Sequence, residues 1–383
     1  MPGVLHVYAG PFPAPMGTPA LVTQTCRLCA ATGADTTLLT YGSADTTSDD
    51  TFRFRVVRTP RLPGWTGRRS GPTPHKPLFD LLLVHRLTGL LRDHAPDILH
   101  AHHVEALLAC VLADPAGRIP LVFHQHALLE PELPTYARPS LSPLLCAAGR
   151  IADRTLPRAA DHIICLCADS ERRMIGHGFP ADHISLLRPA VVDIPPSRHT
   201  PSSRRSSLTA VYTGNLDRYQ NVDTLLRAAA LVDRNHPGAV RLRIVTAEAP
   251  PSTEPAVPVE YLPHGDFNHA WRCMIDADFA VIPRCLPGGV PIKLVNALAA
   301  GMPVIVDRRI GEELVTDDEA LLVDAGDPQR IAEAMVAMTD PALRRRLHGG
   351  ALRAADRLYG AGVAKETLAQ IYRTVESSSY RRK

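Results

Sequence analysis

The segment GGVPIKLVN, which begins at Gly288, has the residue types and spacing of an anion-binding site. Gly288 and Gly289 allow the backbone to turn with its N–H groups exposed, and Pro291 suits the first turn of a helix. A helix N-terminus offers free amides and the positive end of its dipole. Positions 289, 293 and 296 share one helical face, so Lys293 and Asn296 can reach one ligand. A helix that packs on a sheet without any ligand has the same pattern.

A second turn rich in backbone amides is predicted near the N-terminus, where GPFPAPMGTPA follows the first predicted strand. Gly17 opens the helix after this turn, and we expect it to face the anion-binding segment from the opposite side of a cleft. The turn lacks the GxGxxG spacing, which argues against an ordinary dinucleotide-binding domain.

Two histidines lie near the end of the predicted strand PLVFHQH. His124 and His126 are two positions apart, so they project from the same face of the strand. Ligands bind at the carboxyl ends of parallel strands, and these rings are therefore candidate site residues. A structural role in the core is the alternative for each single histidine.

The elements that must position these residues alternate between strand and helix along the chain. This alternation predicts an α/β fold of two doubly wound parallel sheets. The segment RPAVVDIPPSRHTPSSRRSS interrupts it. We therefore predict an N-terminal domain over 1–190, a linker over 191–207 and a C-terminal domain over 208–360. A final helix over 361–383 is predicted to pack back toward the N-terminal domain.

Length and composition agree with two soluble domains. The chain has 383 residues and is 45% apolar and 21% charged, which is ordinary for globular proteins. A net charge of +3 gives no reason to expect binding to nucleic acid. We see no leader-like N-terminus, no apolar run of membrane-spanning length and no strongly basic amphipathic helix, and so expect a cytoplasmic protein without membrane contact. The basic loop between Val56 and Phe79 is interpreted as solvated, with an acceptor gate or a contact to an anionic surface as alternatives.

The order of the sequence blocks resembles that of the retaining family-4 glycosyltransferases with the GT-B fold. The resemblance rests on DILHAHHVEALLA, IPLVFHQHALLEPELPTY, VYTGNLDRYQNVDTLLRA, DADFAVIPR, GGVPIKLVNALAAGMPVIV and EELVTDDEALLVDAG, which follow the family's order nearly end to end. It implies two Rossmann-like domains that close over a nucleotide-diphosphate sugar, held by the C-terminal half, and an acceptor, held by the N-terminal half.

The resemblance also implies roles for individual residues. His126 would contact the donor sugar and act in catalysis together with Arg284 and Lys293. The acceptor would be framed by His103, His124, Glu132 and Tyr136. The residues that would bind the donor are Gly17, Gly214, Asn215, Arg218, Gln220, Gly288, Gly289, Val290 and Asn296.

The chain departs from the family at the residues that usually carry charge. Gly288 and Asn296 stand where the family has two glutamates, and Asn215 and Gln220 stand where it has a cationic pair. Asn296 retains hydrogen-bonding ability toward ribose hydroxyls without a charge. Arg284, together with Lys293, could replace the lost positive charge, and Arg218 is the alternative.

The resemblance implies catalysis without a metal or another cofactor. Amides, a helix dipole and cations would stabilise the departing diphosphate, while a donor phosphate oxygen takes the acceptor proton at the front face of the sugar. A protein carboxylate is then not obligatory. The acid pairs at 48–50 and 316–319 are interpreted as solvated turns rather than metal ligands.

Several alternatives remain open at this point. The chain could be a catalytically degenerate protein that only binds a nucleotide sugar, a phosphorylase, or an epimerase. We favour a transferase that acts on a small soluble acceptor, such as a natural product, a thiol or a cyclitol, over one that acts on a lipid. The donor base could be uridine or guanosine, and the oligomeric state could be a monomer or a homodimer.

Overall fold

The computed structural model describes most of the chain. The described residues are 2–14, 16–42, 52–61, 75–136, 138–192, 194–201, 207–248, 259–263, 266–286, 289–311, 313–314 and 318–380. Of the predicted features, Gly288, the acid pair at 48–50, part of the pair at 316–319 and most of the basic loop lie outside these residues.

The chain divides into two compact units, and the C-terminal helix belongs to the first. Unit 1 comprises Met1–Pro189 and Ala361–Lys383, and unit 2 comprises Ala190–Gly360. The segment predicted as a linker runs along unit 2, where the Val191 amide donates to the Tyr359 carbonyl and the His199 amide donates to the Ala300 carbonyl.

Unit 1 contains a seven-stranded sheet in the order β3-β2-β1-β4-β5-β6-β7, with every neighbouring pair parallel. Its strands are β1 (Gly3–Tyr8), β2 (Asp35–Thr40), β3 (Arg55–Arg58), β4 (Ile98–His102), β5 (Leu121–Gln125), β6 (His162–Cys165) and β7 (Ile184–Leu186). Its helices are α1 (Gly17–Ala31), α2 (Lys76–Asp93), α3 (His103–Ala113), α4 (Leu129–Glu132), α5 (Ser142–Thr155), α6 (Ala168–Gly176) and, from the C-terminus, α12 (Ala361–Tyr380).

Unit 2 contains a six-stranded parallel sheet in the order β10-β9-β8-β11-β12-β13. Its strands are β8 (Leu208–Thr213), β9 (Val240–Thr246), β10 (Val259–Pro263), β11 (Phe279–Ile282), β12 (Val304–Asp307) and β13 (Leu321–Val323). Its helices are α7 (Val222–Asn235), α8 (Phe267–Ile275), α9 (Ile292–Ala299), α10 (Pro328–Ala337) and α11 (Pro341–Tyr359).

The two strand orders confirm the predicted α/β fold of two doubly wound sheets. Central strands such as FAVI at 279–282 and VIVD at 304–307 are buried along their whole length, as expected for strands covered by helices on both faces. In each sheet the strand order reverses once, between β1 and β4 in unit 1 and between β8 and β11 in unit 2. Ligands of open α/β sheets bind at the carboxyl ends of the strands at such a reversal.

The helix of the glycine-rich segment is α9, and it begins one residue later than predicted. Pro291 precedes the helix as its N-cap rather than opening its first turn. At the other end Gly301 has a φ of 74°, its amide donates to Leu298, and the Met302 amide donates to Ala297. These bonds form a Schellman motif, which ends the helix at the predicted glycine.

Among the described residues, none of the helices combines the length and the apolar character that a membrane span requires.

Candidate functional site

The carboxyl end of β8 in unit 2 carries a lysine held by neutral groups. Lys293, in the first turn of α9, donates from Nζ to the Tyr212 hydroxyl over 2.8 Å and to the Gln220 side-chain oxygen over 2.9 Å. Its Nζ also lies 4.0 Å from the centre of the Tyr212 ring. A Cβ on Gly214 would lie 2.8 Å from this nitrogen, and Gly214 has a φ of 131°. Glycine at 214 is therefore needed both for the turn and for the lysine.

Arg284 is the second cation of this region. It follows β11, lies over the ring of Tyr219 at 5.4 Å, and has a buried Nε without a hydrogen-bond partner. In the described part of unit 2, no carboxylate forms an ion pair with Arg284 or Lys293. Two partly buried cations without a counter-ion define an electropositive region, which we name the cationic site.

Burial governs the protonation of the lysine. Desolvation, and to a smaller extent the charge of Arg284, holds the pKa of Lys293 well below its ordinary value. An anion placed next to both groups would stabilise the ammonium form and raise this pKa. The cationic site is therefore suited to a ligand that carries several negative charges.

The turn between β8 and α7 is held rigid by its own side chains. The Gln220 side-chain amide donates to Asn215 over 2.8 Å, and the Tyr212 hydroxyl donates to the Asn215 carbonyl. Asn221 adopts a left-handed conformation and donates to the Pro283 and Ala325 carbonyls. Asn215 and Gln220 were predicted to bind the sugar donor. In the structure, Asn215 instead orients the Tyr212 hydroxyl and the Gln220 side-chain amide, whose oxygens accept hydrogen bonds from Lys293.

The remaining predicted donor residues lie at different depths around this site. Gly289 is buried, Val290 and Asn296 are half-buried, and Arg218 is exposed. Arg284 and Lys293 occur together, and the charge of Arg284 acts on Lys293. Since Arg218 is not among the groups that perturb Lys293, Arg284 is the better candidate for the replaced family cation.

In unit 1, the face of the sheet at the strand reversal carries five buried histidines from three neighbouring strands. They are His6 of β1, His100 and His102 of β4, and His124 and, just after β5, His126. The registers align His6 with His100 and His102 with His124. Because side chains two residues apart share a face, the rings form a continuous layer, which we name the histidine cluster.

Hydrogen bonds connect the rings of the cluster into two chains. In the first, His6 Nδ1 is 3.0 Å from His102 Nε2, and His102 Nδ1 is 3.1 Å from His126 Nε2. In the second, the Tyr372 hydroxyl of α12 is 2.8 Å from His100 Nδ1, and His100 Nε2 is 3.2 Å from His124 Nδ1. Within the cluster, three buried ring nitrogens have no hydrogen-bond partner among the described residues, namely His6 Nε2, His124 Nε2 and His126 Nδ1.

The histidine cluster contains the best metal-ligating arrangement among the described residues. His6, His100 and His102 have nearly parallel ring planes, with interplanar angles of 22–28°, and they offer ring nitrogens within 4.8 Å of one another. His126 meets His102 and His124 at 79° and 76°, which allows convergence of these three rings. The prediction that the protein uses no metal stays a prediction.

Burial keeps the cluster uncharged. Desolvation lowers the pKa of all five rings, with smaller contributions from neighbouring histidines for four of them, and the pKa of His6 and of His124 is about 3. His124, predicted to contact the acceptor, has no exposed surface in this structure because neighbouring rings enclose it. His126 is 7% exposed, and its ring is fixed through Nε2.

A charged group lies beside this neutral layer. His103 has a φ of 71°, an uncommon conformation for a residue with a side chain, and its Nδ1 donates to Glu105 over 2.6 Å. Burial alone would lower the pKa of His103, but Glu105 and Glu132 raise it to about 10. Lys76 Nζ lies 3.3 Å from Glu105 Oε1 and forms an ion pair with it. The Tyr136 hydroxyl donates to Glu132 over 2.8 Å, so the structure joins three of the predicted acceptor residues, His103, Glu132 and Tyr136.

Gly17 is the exposed first residue of α1, whose first turn carries no acid. Its amide belongs to the first turn, whose N–H groups have no partner within the helix, and its role in donor binding stays a prediction.

Sequence reasoning missed several residues of these sites. His6, His100, His102 and Tyr372 belong to the cluster, and Tyr212 and Tyr219 belong to the cationic site. The repeated HxH spacing in HAHH and HQH could have revealed the histidine layer, because it marks one face of a strand. Nothing in the local sequence connects Tyr372 with His100.

Comparison with known families identifies both units. Residues 17–190 match the family described as "Glycosyl transferase 4-like domain", and residues 207–340 match the family described as "Glycosyl transferases group 1". The chain belongs to the family-4 glycosyltransferases of the GT-B fold.

Relatives of this glycosyltransferase agree in length and fold. It is 26% identical over 381 residues to D-inositol 3-phosphate glycosyltransferase of Acidothermus cellulolyticus. The alignment covers 90% of this chain and 82% of the relative. Sucrose-phosphate synthase from Thermosynechococcus elongatus superposes with a TM-score of 0.79 at 15% identity, over 99% of this chain and 100% of that protein. Anabaena HepE in complex with UDP-glucose superposes with a TM-score of 0.73 at 17% identity, over 98% of this chain and 100% of that protein.

Proposed function

We propose that this glycosyltransferase moves a sugar from a nucleoside-diphosphate sugar to a small soluble acceptor with retention of anomeric configuration. Unit 2 binds the diphosphate at Lys293 and Arg284. Unit 1 binds the acceptor near His103, Glu132 and Tyr136, and His126 contacts the transferred sugar.

The observation that carries this proposal is the pairing of two cations without a carboxylate. Lys293 is held by Tyr212 and Gln220, which are neutral, and Arg284 has a buried Nε without a partner. Without an anion, burial lowers the pKa of Lys293 and leaves the buried Nε of Arg284 unpaired, so an anionic ligand would be stabilised by both groups. A departing diphosphate requires positive charge, which Arg284 supplies and which the bound anion restores to Lys293 by raising its pKa.

We further propose that these cations and the amides at the start of α9 suffice without a metal ion. Transfer with retention then needs no carboxylate as a general base, because a donor phosphate oxygen accepts the proton of the acceptor. Replacement of the two family glutamates by Gly288 and Asn296 is compatible with activity under this scheme. Turnover that is unchanged by EDTA, with a product whose anomeric configuration matches the donor by NMR, would support both parts.

Two of the compared proteins suggest which substrates to test first. HepE of Anabaena forms a crystalline complex with UDP-glucose, and the Acidothermus relative is named for an inositol phosphate. We propose a uridine donor and a cyclitol-type acceptor as the first pair, with guanosine donors and small thiols next.

Isothermal titration calorimetry with UDP and GDP tests the donor site directly. We expect binding of one nucleotide to be accompanied by proton uptake, because the bound anion raises the depressed pKa of Lys293. The measured enthalpy should therefore depend on the ionisation enthalpy of the buffer, and this dependence should disappear in Lys293→Met.

Two results would count against the proposal. A folded protein that binds neither UDP nor GDP would contradict the donor assignment. Tight nucleotide binding without any hydrolysis or transfer from a panel of UDP- and GDP-sugars would instead favour the degenerate nucleotide-sugar-binding protein.

A further inference from the structure

Three rings of the histidine cluster bring nitrogens close enough together to bind one ion. One nitrogen each of His102, His124 and His126 lies within 4.8 Å of the other two. His102 and His124 have no exposed surface, and His126 is 7% exposed. The register of β4 and β5 places His102 beside His124, and His126 follows two positions later on the same face.

His124 carries the clearest sign of a ligand inside the cluster. Its Nε2 is buried and has no hydrogen-bond partner among the described residues. A buried polar atom without a partner destabilises the folded state. Because the ring is neutral, it has one lone pair, and a metal ion can use this lone pair where no hydrogen bond does.

The opposite nitrogens of two of these rings are held as metal ligands require. A ligating histidine normally donates its second ring N–H to a neighbouring acceptor, which fixes the orientation and the tautomer of the ring. His102 Nε2 lies 3.0 Å from His6 Nδ1, and His124 Nδ1 lies 3.2 Å from His100 Nε2. With both of these contacts donated as N–H, His102 Nδ1 and His124 Nε2 keep their lone pairs.

The contact between His102 and His126 has the dimensions of a zinc site. His102 Nδ1 is 3.1 Å from His126 Nε2, and the two ring planes meet at 79°. Two nitrogens bound to one tetrahedral zinc ion at about 2.0–2.1 Å are about 3.3–3.4 Å apart. A zinc ion can therefore take the place of this hydrogen bond once the two rings rotate to converge on it.

From this arrangement we propose that unit 1 binds a zinc ion through His102 Nδ1, His124 Nε2 and His126 Nε2. Imidazole nitrogen is a preferred ligand of zinc, whereas magnesium and calcium prefer oxygen. Three histidines leave a fourth position on the ion for a water molecule or another ligand. The bound rings stay neutral, because the ion takes up a lone pair of each imidazole.

The ion joins β4 to β5 and stabilises unit 1. This inference revises the expectation of a protein without metal, and it does not rest on the donor or the acceptor. Lys293 and Arg284, which are proposed to stabilise the diphosphate, belong to unit 2. His126 Nδ1 remains free of the ion and keeps its N–H for the transferred sugar.

Metal titration of the full-length protein without an affinity tag tests the proposal. Protein that has been stripped with a chelator and dialysed should take up a single zinc ion per chain, measured by elemental mass spectrometry. Cobalt(II) should give the visible absorption bands of a tetrahedral site, and added zinc should remove them. Because the ion binds the folded protein, zinc should raise the Tm.

Matched variants separate the cluster from other histidines. His124→Gln should lower the affinity for zinc by at least about 100-fold because it removes a ligand, and His6→Gln should lower it by about 10- to 100-fold through the orientation of His102. His126→Gln repeats the ligand test at the least buried of the three rings. His162→Gln is the control, since His162 of β6 is 4% exposed and bonds to Ser185 over 2.8 Å outside the cluster. Circular dichroism shows that each variant is folded.

Three results would overturn the proposal. The first is a folded protein that takes up neither zinc nor cobalt at micromolar concentrations, which would leave the cluster as hydrogen-bonded rings around a buried water. The second is zinc binding that His124→Gln and His126→Gln do not weaken, which would place the ion at surface histidines. The third is a cobalt spectrum of octahedral type, which would indicate water rather than three imidazoles as the main ligands.

Discussion

Both sheets reverse their strand order once, but the side chains at the two reversals differ in charge. In unit 2, the end of β8 is occupied by Lys293 and Arg284, two cations among tyrosines and amides. In unit 1, the same position carries a layer of neutral histidines. The comparison teaches that topology fixes where a site forms, while its side chains decide whether that site is charged.

The difference follows from what surrounds each group. The histidine layer is desolvated and its rings face only one another and neutral groups, so neutral imidazole is the stable form. The charged histidine beside this layer is His103, which has Glu105 and Glu132 as partners. Lys293 and Arg284 have no carboxylate partner among the described residues, and they are therefore available to an external anion.

The largest expected effect removes the charge from the cationic site. Lys293→Ala and Arg284→Ala should each lower kcat by about 100-fold or more, the scale seen when one electrostatic stabiliser of a transition state is lost. Both should also weaken UDP binding. Lys365→Ala, at an exposed lysine of α12, is the control. Unchanged kcat in both site variants would break the proposed contrast between the units.

An intermediate effect concerns the histidine cluster. Tyr372→Phe removes the hydroxyl that lies 2.8 Å from His100 Nδ1 and leaves that buried nitrogen unpaired. We expect a loss of about 1–3 kcal/mol in the free energy of unfolding, measured by denaturant titration. Since α12 is the final helix of the chain, an unchanged stability would show that this helix is not anchored through the cluster.

The third prediction separates backbone strain from displacement of the lysine. Gly214→Ala places a methyl group 2.8 Å from Lys293 Nζ and should weaken nucleotide binding about tenfold. Gly238→Ala also has a positive φ, but no atom lies within 4 Å of its Cβ. It should reduce stability without changing the affinity. Equal affinities in both variants would contradict the assigned role of Gly214.

The smallest effect sharpens the electrostatic comparison through pH. The pKa of His124 is about 3 in the folded protein and near its ordinary value when unfolded, so the unfolded state binds more protons below about pH 6.5. Stability must therefore fall as the pH falls. Between about pH 6 and pH 4.5, His124→Gln should reduce this slope by at most about 1.4 kcal/mol per pH unit.

Much of the fold could be predicted because its signals are local. Alternating apolar strands and helices, Gly301 at the end of α9, and the proline- and serine-rich segment after residue 188 are short-range patterns. The structure confirms the doubly wound sheets and the end of α9. The packing of α5 against α4 could not be predicted, because it depends on Gly149 and Asp153 meeting α4, a contact between separate elements.

The sequence by itself determined the alternation of elements, the glycine turns, and which residue types stand at the ends of the strands. Only the tertiary structure decided their protonation and their partners. Desolvation and hydrogen bonding depend on residues distant in sequence, such as Tyr372 beside His100 and Tyr212 beside Lys293. The same side chains in a different protein environment would carry different charges. The pKa of each group is set by how much water it loses on burial and by the charged and hydrogen-bonding groups it then contacts.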